Sequence, residues 1–94
     1  TRKMMKNRWV NVLLCDSKDI IWIGHYKGIS CYDARSDRFV EIEGDSILNT
    51  RVCYSLLEDH NGNIWIGTNN GLYMWTVAVV PLCFIRPMMD FLIM

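Results

Sequence analysis

The chain of 94 residues lacks a net charge, because ten Lys and Arg residues balance ten Asp and Glu residues. Without a net field it has little attraction for nucleic acid or for an anionic membrane surface, and we expect no nucleic-acid partner. It also lacks an apolar run long enough to span a bilayer. Residues 77–85 are nearly all apolar, but they are too few, and Arg86, Pro87 and Asp90 follow closely. We therefore expect no direct membrane insertion.

Metal-binding and catalytic patterns are missing as well. None of the four cysteines forms a CxxC pair, and neither His25 nor His60 has a cysteine at zinc-finger spacing. No pair of acids, Ser-His-Asp set or activated cysteine can be assigned. We expect no metal, no cofactor and no catalytic residue, and we interpret the chain as non-enzymatic.

The start of the chain lacks both an initiator Met and the basic stretch followed by an apolar run that would mark a signal peptide. We expect the chain to be a piece of a longer protein. Residues 1–8 contain four basic residues, which we interpret as a solvated lead-in without a function of its own.

What the chain does contain is an internal repeat. Sliding the sequence against itself by 43 residues aligns residues 9–32 with residues 52–75 without a gap, and eight of the 24 pairs are identical. A period in the low forties suits a four-stranded propeller blade, although helical HEAT and armadillo units share that length. The identical pairs are Leu13 with Leu56, Leu14 with Leu57, Asp16 with Asp59, Ile21 with Ile64, Trp22 with Trp65, Ile23 with Ile66, Gly24 with Gly67, and Gly28 with Gly71.

The residues around the repeated tryptophans indicate strands and not helices. "IIWIG" and "NIWIG" are short runs of β-branched and aromatic residues bounded by turn formers, and they are too short for a helix. Asn70-Gly71 then predicts a hairpin with a type I′ turn, which needs positive φ at both central residues. Lys27-Gly28 stands at the same place in the first copy, where we expect a looser turn or one of another type. A fourth strand fits "RFVEIE", residues 38–43, so each repeat is a four-stranded meander.

Several repeated residues have a structural interpretation. A single meander cannot bury both faces of its sheet, and propellers solve this by stacking blades radially around a channel. We expect the tryptophans to fill the gap between neighbouring sheets, the glycines beside them to permit close backbone approach, and the aspartates to brace the turn before each tryptophan strand. The structural residues so assigned are Asp16, Trp22, Gly24 and Gly28 in the first copy, and Asp59, Gly62, Trp65, Gly67 and Gly71 in the second.

These features predict an all-β fragment of a β-propeller with about two four-stranded antiparallel blades, the second of them incomplete. Residues 1–8 are the lead-in, residues 9–51 blade one, residues 52–77 three strands of blade two, and residues 78–94 an apolar tail. Two interpretations of the tail are open: a fourth strand in "AVVPLCFI", or an end foreign to the repeat that arose from a shifted reading frame or a truncated gene. The expected partners are neighbouring blades of a parent chain, or other copies of the chain through exposed blade edges.

"VCYSLLEDHNGNIWIGTNNGLYMW", residues 52–75, resembles the two-component regulator propeller repeat, whose pattern runs roughly V-x-x-[IL]-x-[ED]-x-x-G-x-[IL]-W-[IV]-G-T-x-x-G-[IL]-x-x-[YW]. The first copy matches less closely, because Asp19 stands at the glycine position and His25 at the threonine position. The resemblance covers about residues 9–77.

This resemblance implies a slice of the periplasmic sensor region of a bacterial hybrid histidine kinase. In that family many such blades form two propellers, followed by an immunoglobulin-like domain, a membrane span and cytoplasmic kinase modules. Known members sense oligosaccharides released from polysaccharides and switch on genes for their uptake. The resemblance therefore implies a periplasmic location, an oligosaccharide ligand, and sensing or scaffolding without chemistry.

One rim of such a propeller is a candidate ligand site. In a meander, the loop entering each blade and the loop between its second and third strands emerge on the same side. Amides, a guanidinium and an aromatic ring suit a sugar's hydroxyls and its apolar face, although turn chemistry alone also accounts for Asn and Thr at hairpins. The candidate ligand-binding residues are Asn49, Arg51, Asn69 and Asn70, with His25 and Tyr26 on the neighbouring blade and Thr50 and Thr68 beside them.

Two other classes of protein stay open. "DHNGNIW" is similar to the aspartate-box turn of propeller glycosidases and lyases, but in that box the spacing from Asp to Gly is one residue shorter, and such boxes are themselves structural. The other class is a structural or protein-binding propeller scaffold.

Overall fold

A computed structural model of the chain describes residues 9–42, 45–76 and 84–87, with the side chains of residues 9–42 and 47–76. No helix in these ranges is long and apolar enough to cross a membrane. The elements are β1 (Val10–Cys15), β2 (Ile20–His25), β3 (Ile29–Asp33), β4 (Arg38–Val40), a 3-10 helix (Asp45–Leu48), β5 (Cys53–Glu58), β6 (Ile64–Thr68), β7 (Gly71–Thr76) and β8 (Phe84–Pro87).

The strands form two antiparallel sheets of four, in the orders β1-β2-β3-β4 and β5-β6-β7-β8. Each strand pairs with the next one along the chain, so each sheet is a meander. We refer to the first sheet as blade one and to the second as blade two. The predicted fold class, an all-β propeller fragment of about two four-stranded antiparallel blades, is confirmed.

The fourth strand of blade two is β8, which pairs with β7. Blade two therefore extends beyond the three strands assigned to residues 52–77, and β8 begins within "AVVPLCFI", the fourth-strand interpretation of the tail. Residues 1–8, 77–83 and 88–94 lie outside the described residues. The predicted blade boundaries and the origin of the tail stay predictions.

The repeat in the sequence is also a repeat in strand register. Both blades contain a bulge in their first strand at the same place, between Val10 and Val12 in β1 and between Cys53 and Ser55 in β5. The residues of the aligned segment 9–32 therefore have counterparts 43 positions later in blade two, at residues 52–75. This correspondence makes each blade a matched control for the other.

Strand alternation gives each blade an inner face, toward the other blade, and an outer face. Trp22 lies on the inner face of blade one, where its ring meets Trp75 of blade two at a centroid distance of 5.0 Å. Trp65 is the counterpart of Trp22 and lies on the outer face of blade two, on the opposite side of β6 from Ile64 and Ile66.

The core lies between the inner faces, because neither sheet can remove its apolar side chains from water by itself. Leu48 of the 3-10 helix closes one end of this core and is 1% exposed, although no strand or helix pattern in the sequence indicated it. The buried core residues are Trp22, Ile29, Cys31, Ile42, Leu48, Cys53, Ile64, Ile66 and Tyr73.

The β6–β7 hairpin is present, but its turn is not the predicted type I′. Gly71 has a φ of 113°, whereas Asn70 does not have positive φ. The Thr68 hydroxyl gives the reason, since it accepts a hydrogen bond from Asn70 N at 3.1 Å and donates one to the Gly71 carbonyl at 2.7 Å. Gly28 has a φ of 91° at the counterpart position, so the hairpin that contains Lys27 has the same left-handed glycine.

The tight turn before each tryptophan strand forms in both blades. Asp19 N donates to the Asp16 carbonyl at 3.2 Å, and Gly62 N donates to the Asp59 carbonyl at 3.0 Å. Asp19 and Gly62 both have positive φ, at 63° and 86°. Because aspartate tolerates the left-handed region better than most residues do, the missing glycine in the first copy does not prevent the turn.

Candidate functional site

Blade one contains an Asp–Trp clamp, in which one carboxylate binds both the turn before the tryptophan strand and the tryptophan itself. Asp16 Oδ1 accepts hydrogen bonds from the backbone N–H groups of Lys18 at 2.8 Å and Ile20 at 3.0 Å. Its Oδ2 accepts from Trp22 Nε1 at 2.9 Å. Asp16 is 8% exposed and Trp22 is 1% exposed, so water has little access to these bonds.

Blade two contains the same clamp. Asp59 Oδ1 accepts from the backbone N–H groups of Asn61 at 2.9 Å and Asn63 at 3.0 Å, and Oδ2 accepts from Trp65 Nε1 at 2.9 Å. Asn63 Nδ2 adds a fourth donor at 3.3 Å. Asp59 and Trp65 are half-buried. The sequence placed both aspartates in turns, and the bond to the indole six residues later is an addition from the structure.

The stability of blade two is expected to depend on acid pH through Asp59. The hydrogen bond from Trp65 Nε1 lowers the pKa of this carboxyl below its ordinary value of 3.8, and the amides of Asn63 and Asn61 lower it further, against desolvation, which raises it. A carboxyl whose folded pKa is depressed stabilises the fold fully above its unfolded pKa. That contribution is lost as the pH falls through the folded pKa.

We therefore expect the thermal midpoint of the chain, followed by circular dichroism, to fall as the pH is lowered from about 5 to about 2. In Asp59→Asn the same acidification is expected to cost less, because the amide keeps one acceptor oxygen and does not titrate. An identical dependence on pH in both chains would contradict the assignment to Asp59.

The loop that enters blade two meets the β6–β7 turn at one rim of the molecule. Val52 N donates to the Asn69 amide oxygen at 2.9 Å, and Asn69 N donates to the Val52 carbonyl at 3.1 Å. Arg51 lies beside this pair, with Nε donating to the Tyr73 hydroxyl and Nη1 to the Thr50 hydroxyl, each at 3.3 Å. The structure thus brings together the loop and turn residues that the sequence placed on a common rim.

Tyr73 connects this rim to the core, and it was not among the predicted residues. It is 4% exposed, and besides accepting from Arg51 its hydroxyl donates to the Asn70 carbonyl at 3.5 Å. Blade one reaches the same rim through Gly28, whose N–H donates to the Arg51 carbonyl at 3.0 Å. A Cβ at Gly28 would lie 3.0 Å from Asn49 Oδ1. The sequence alone does not show on which face of β7 Tyr73 lies. The strand register shows that it faces the blade junction.

The two candidates on blade one are placed differently from each other. His25 is fully buried, and its Nε2 lies 2.7 Å from the Ser30 hydroxyl. Its ring is therefore not presented on the rim surface, contrary to the expectation, because the last residue of β2 turns into the protein. Tyr26 follows it and is 56% exposed, with its N–H donating to the Trp9 carbonyl at 3.2 Å.

The side chains that could bind metal are dispersed. Within residues 9–42 and 47–76, no group of three His, Cys, Asp or Glu residues is placed to hold an ion. Cys15 is exposed, whereas the side chains of Cys31 and Cys53 are buried. Burial raises the pKa of the Cys53 thiol to about 11, so it is a neutral thiol at pH 7 and packs as a small apolar side chain.

The two stacked meanders define the described part of the chain as consecutive blades of a β-propeller. Residues 46–70 match the family model of the two component regulator propeller. This match confirms the predicted repeat over the end of the 3-10 helix, β5, β6 and the β6–β7 turn. A search of curated proteins found no match to the chain, and neither did a search of solved structures.

Proposed function

We propose that the chain is a non-catalytic part of a ligand-sensing propeller in a periplasmic two-component signalling protein, and that it responds to oligosaccharides. The observation that carries the proposal is the position of the rim within the matched segment. Residues 46–70 include both the loop entering blade two and the β6–β7 turn. A propeller of a two-component regulator couples a signal to a response. In this proposal the rim is the polar surface on which the signal molecule binds.

The chemistry of the rim suits a sugar. Asn49, Asn69 and Asn70 are exposed and offer amides as donors and acceptors. Arg51 is held by Tyr73 and Thr50, and a guanidinium whose orientation is already fixed loses less entropy when a ligand binds. The exposed ring of Tyr26 supplies an apolar surface for the face of a sugar ring.

We assign no chemistry to the carboxylates. Asp59, the acid of the segment similar to an aspartate box, accepts hydrogen bonds from Trp65, Asn61 and Asn63. A carboxylate surrounded by these donors is suited to holding a turn in place and poorly suited to accepting a proton from a substrate.

Arg51→Ala is expected to weaken oligosaccharide binding about ten- to a hundredfold, because a hydrogen bond to a charged group contributes roughly 1.5–3 kcal/mol and 1.4 kcal/mol corresponds to a factor of ten. Binding is measured by isothermal titration and by NMR shift changes in the 94-residue chain. The probes are cellotetraose as a neutral sugar and tetragalacturonic acid as an acidic one.

Arg35→Ala is the matched control for this experiment. Arg35 lies in the β3–β4 turn, at the opposite rim, and pairs with Asp19 on the surface at 3.3 Å. Its removal deletes an arginine without touching the proposed site, so sugar binding is expected to stay at the native value. Equal affinities of the Arg51→Ala and native chains, or no binding of either sugar to the native chain, would contradict oligosaccharide sensing at this rim.

A structural scaffold is the second candidate function, and the hydrogen bonds of the rim itself favour it. The Asn69 amide oxygen and the Thr68 hydroxyl already accept bonds within the rim of blade two, and the Arg51 carbonyl accepts one from Gly28 of blade one. A rim that only braces the junction needs no ligand. A fall in thermal midpoint in Arg51→Ala, together with no sugar binding by the native chain, is the result expected for a scaffold.

A further inference from the structure

The four repeated leucines divide into two environments. Leu14 on blade one and Leu56 on blade two pack against the core between the blades. Their counterparts are Leu57 on the outer face of blade two and Leu13 on the outer face of blade one. These are 63% and 62% exposed. Each outer face therefore carries an exposed leucine at the position where the inner face of the other blade has a leucine packed against the core.

The repeated tryptophan shows the same division on blade two. Trp22 is 1% exposed because blade two covers it, whereas Trp65 is half-buried on the outer face. Gly67 lies beside Trp65 as Gly24 lies beside Trp22. A Cβ at Gly24 would contact Cys53 of the other blade, while a Cβ at Gly67 would meet only atoms of Ser55 within its own sheet. The outer face of blade two thus repeats the leucine, tryptophan and glycine of the inner face of blade one.

The outer face of blade one supplies the residues that such a face needs. Trp22 contacts Trp75, whose counterpart is Tyr32, and Tyr32 stacks edge-on with Phe39 at a centroid distance of 5.2 Å. An aromatic ring therefore stands on the outer face of blade one at the position that corresponds to Trp75. The counterpart of Cys53, which lies against Gly24, is Val10, which is 42% exposed. The outer face of blade one therefore carries an aromatic residue, Tyr32, at the position of Trp75 and a small apolar residue, Val10, at the position of Cys53.

We propose that copies of this chain associate head to tail, with the outer face of blade two of one copy packed against the outer face of blade one of the next. The junction repeats the one already present between the two blades. Such an interface is heterologous, and it closes into a ring when the rotation per copy permits. Since each copy contributes two blades, a few copies supply the four to eight blades of ordinary propellers. This association does not depend on the proposed sugar binding.

The side-chain hydrogen bonds of the existing junction are not repeated. Asn11 Nδ2 donates to the Cys53 carbonyl at 3.2 Å, but the counterpart of Asn11 is Tyr54, which has no side-chain amide. Within the chain, Ser17 N and Oγ donate to the Glu58 carboxylate at 2.9 Å and 2.6 Å and connect the two blades. At the junction between copies, His60 takes the place of Ser17 and Cys15 takes the place of Glu58. This pair contains no carboxylate and forms no charge-assisted hydrogen bond of this kind. The contact between copies therefore rests on apolar packing, and we expect it to depend on protein concentration.

Light scattering after size-exclusion chromatography tests the proposal on the 94-residue chain over a range of concentrations. The native chain is expected to show masses that are multiples of 11.0 kDa and that rise with concentration. Leu57→Arg and Leu13→Arg each place a charge on one outer face, and each is expected to elute at 11.0 kDa. Both leucines are exposed, so the circular dichroism spectrum should stay native. Leu57→Gln and Leu13→Gln replace these variants if an arginine prevents folding.

Mixing the two variants distinguishes a head-to-tail contact from a symmetric one. Leu57→Arg keeps an intact outer face on blade one, and Leu13→Arg keeps one on blade two. An equimolar mixture is therefore expected to form a complex of one copy of each variant, at twice 11.0 kDa and no larger. A native chain that stays at 11.0 kDa at every concentration would overturn the proposal. So would a mixture that stays monomeric, or one variant that still associates with itself.

Discussion

Asp16→Ala is expected to lower the free energy of unfolding by about 3 kcal/mol. The substitution removes the acceptor for two backbone N–H groups, of Lys18 and Ile20, and for Trp22 Nε1. Trp22 is 1% exposed, so its indole N–H would be left without a partner in an environment that water does not reach. A buried donor without an acceptor costs the full desolvation of that group, and an ordinary domain has a stability of only about 5–15 kcal/mol.

The repeat provides the matched control. Asp59→Ala deletes the same clamp from blade two, where Asp59 and Trp65 are half-buried and water can replace the lost acceptor. We expect it to cost less than half as much. Asp16→Asn should fall between native and Asp16→Ala, because its amide oxygen still accepts from the turn while its NH₂ group cannot accept from Trp22.

Urea denaturation, followed by tryptophan fluorescence and circular dichroism, measures these differences. It is performed at a concentration where the chain is monomeric. Equal losses for Asp16→Ala and Asp59→Ala would show that burial by the neighbouring blade does not set the strength of the clamp.

Gly24→Ala is expected to destabilise the chain by about 2 kcal/mol, within the range for overpacked cores. A Cβ at this position would lie 2.5 Å from Val12 Cγ1, 2.6 Å from Cys53 Sγ and 3.1 Å from Cys53 Cβ. Cys53 belongs to the opposite blade and is 1% exposed, so it has no free space to move into. The two blades must separate slightly to accommodate one methyl group, and the packing of Trp22 against Trp75 is weakened as a result.

Gly67→Ala is the control, because Gly67 is the counterpart of Gly24 on an outer face. Its Cβ would meet the Ser55 hydroxyl, which belongs to an exposed side chain that can rotate away. In the monomer we expect a change within about 0.5 kcal/mol. Thermal and urea melts of both variants measure the difference, and a loss at Gly67 as large as that at Gly24 would contradict close approach between blades as the cause.

Much of the fold could be predicted from local pattern. The repeat, the β-branched runs and the turn residues located the strands, since strands of four to six residues are set by alternation and by the turns that bound them. The type of the β6–β7 turn could not be predicted from Asn70-Gly71 alone. The Thr68 hydroxyl forms hydrogen bonds with backbone groups of Asn70 and Gly71. The Thr68 rotamer that allows these bonds is set only in the folded hairpin.

The candidate site was predictable in outline and less so in detail. Meander topology was enough to place Arg51 and Asn69 on one rim. The burial of His25 and the participation of Tyr73 depend on which way each strand end faces, and a shift of one residue reverses that direction. Leu48 was missed for a related reason, since the single turn of helix that buries it exists only because two blades meet there.

The sequence by itself determined that this protein repeats a segment of three short strands after 43 residues, with an aspartate and a tryptophan six residues apart in each copy. These are properties of local spacing and residue type. Only the tertiary structure decided which copy of each repeated residue is buried. Trp22 and Trp65 are the same residue in the same motif, yet one is enclosed and the other half-buried, because burial depends on whether another blade covers the face.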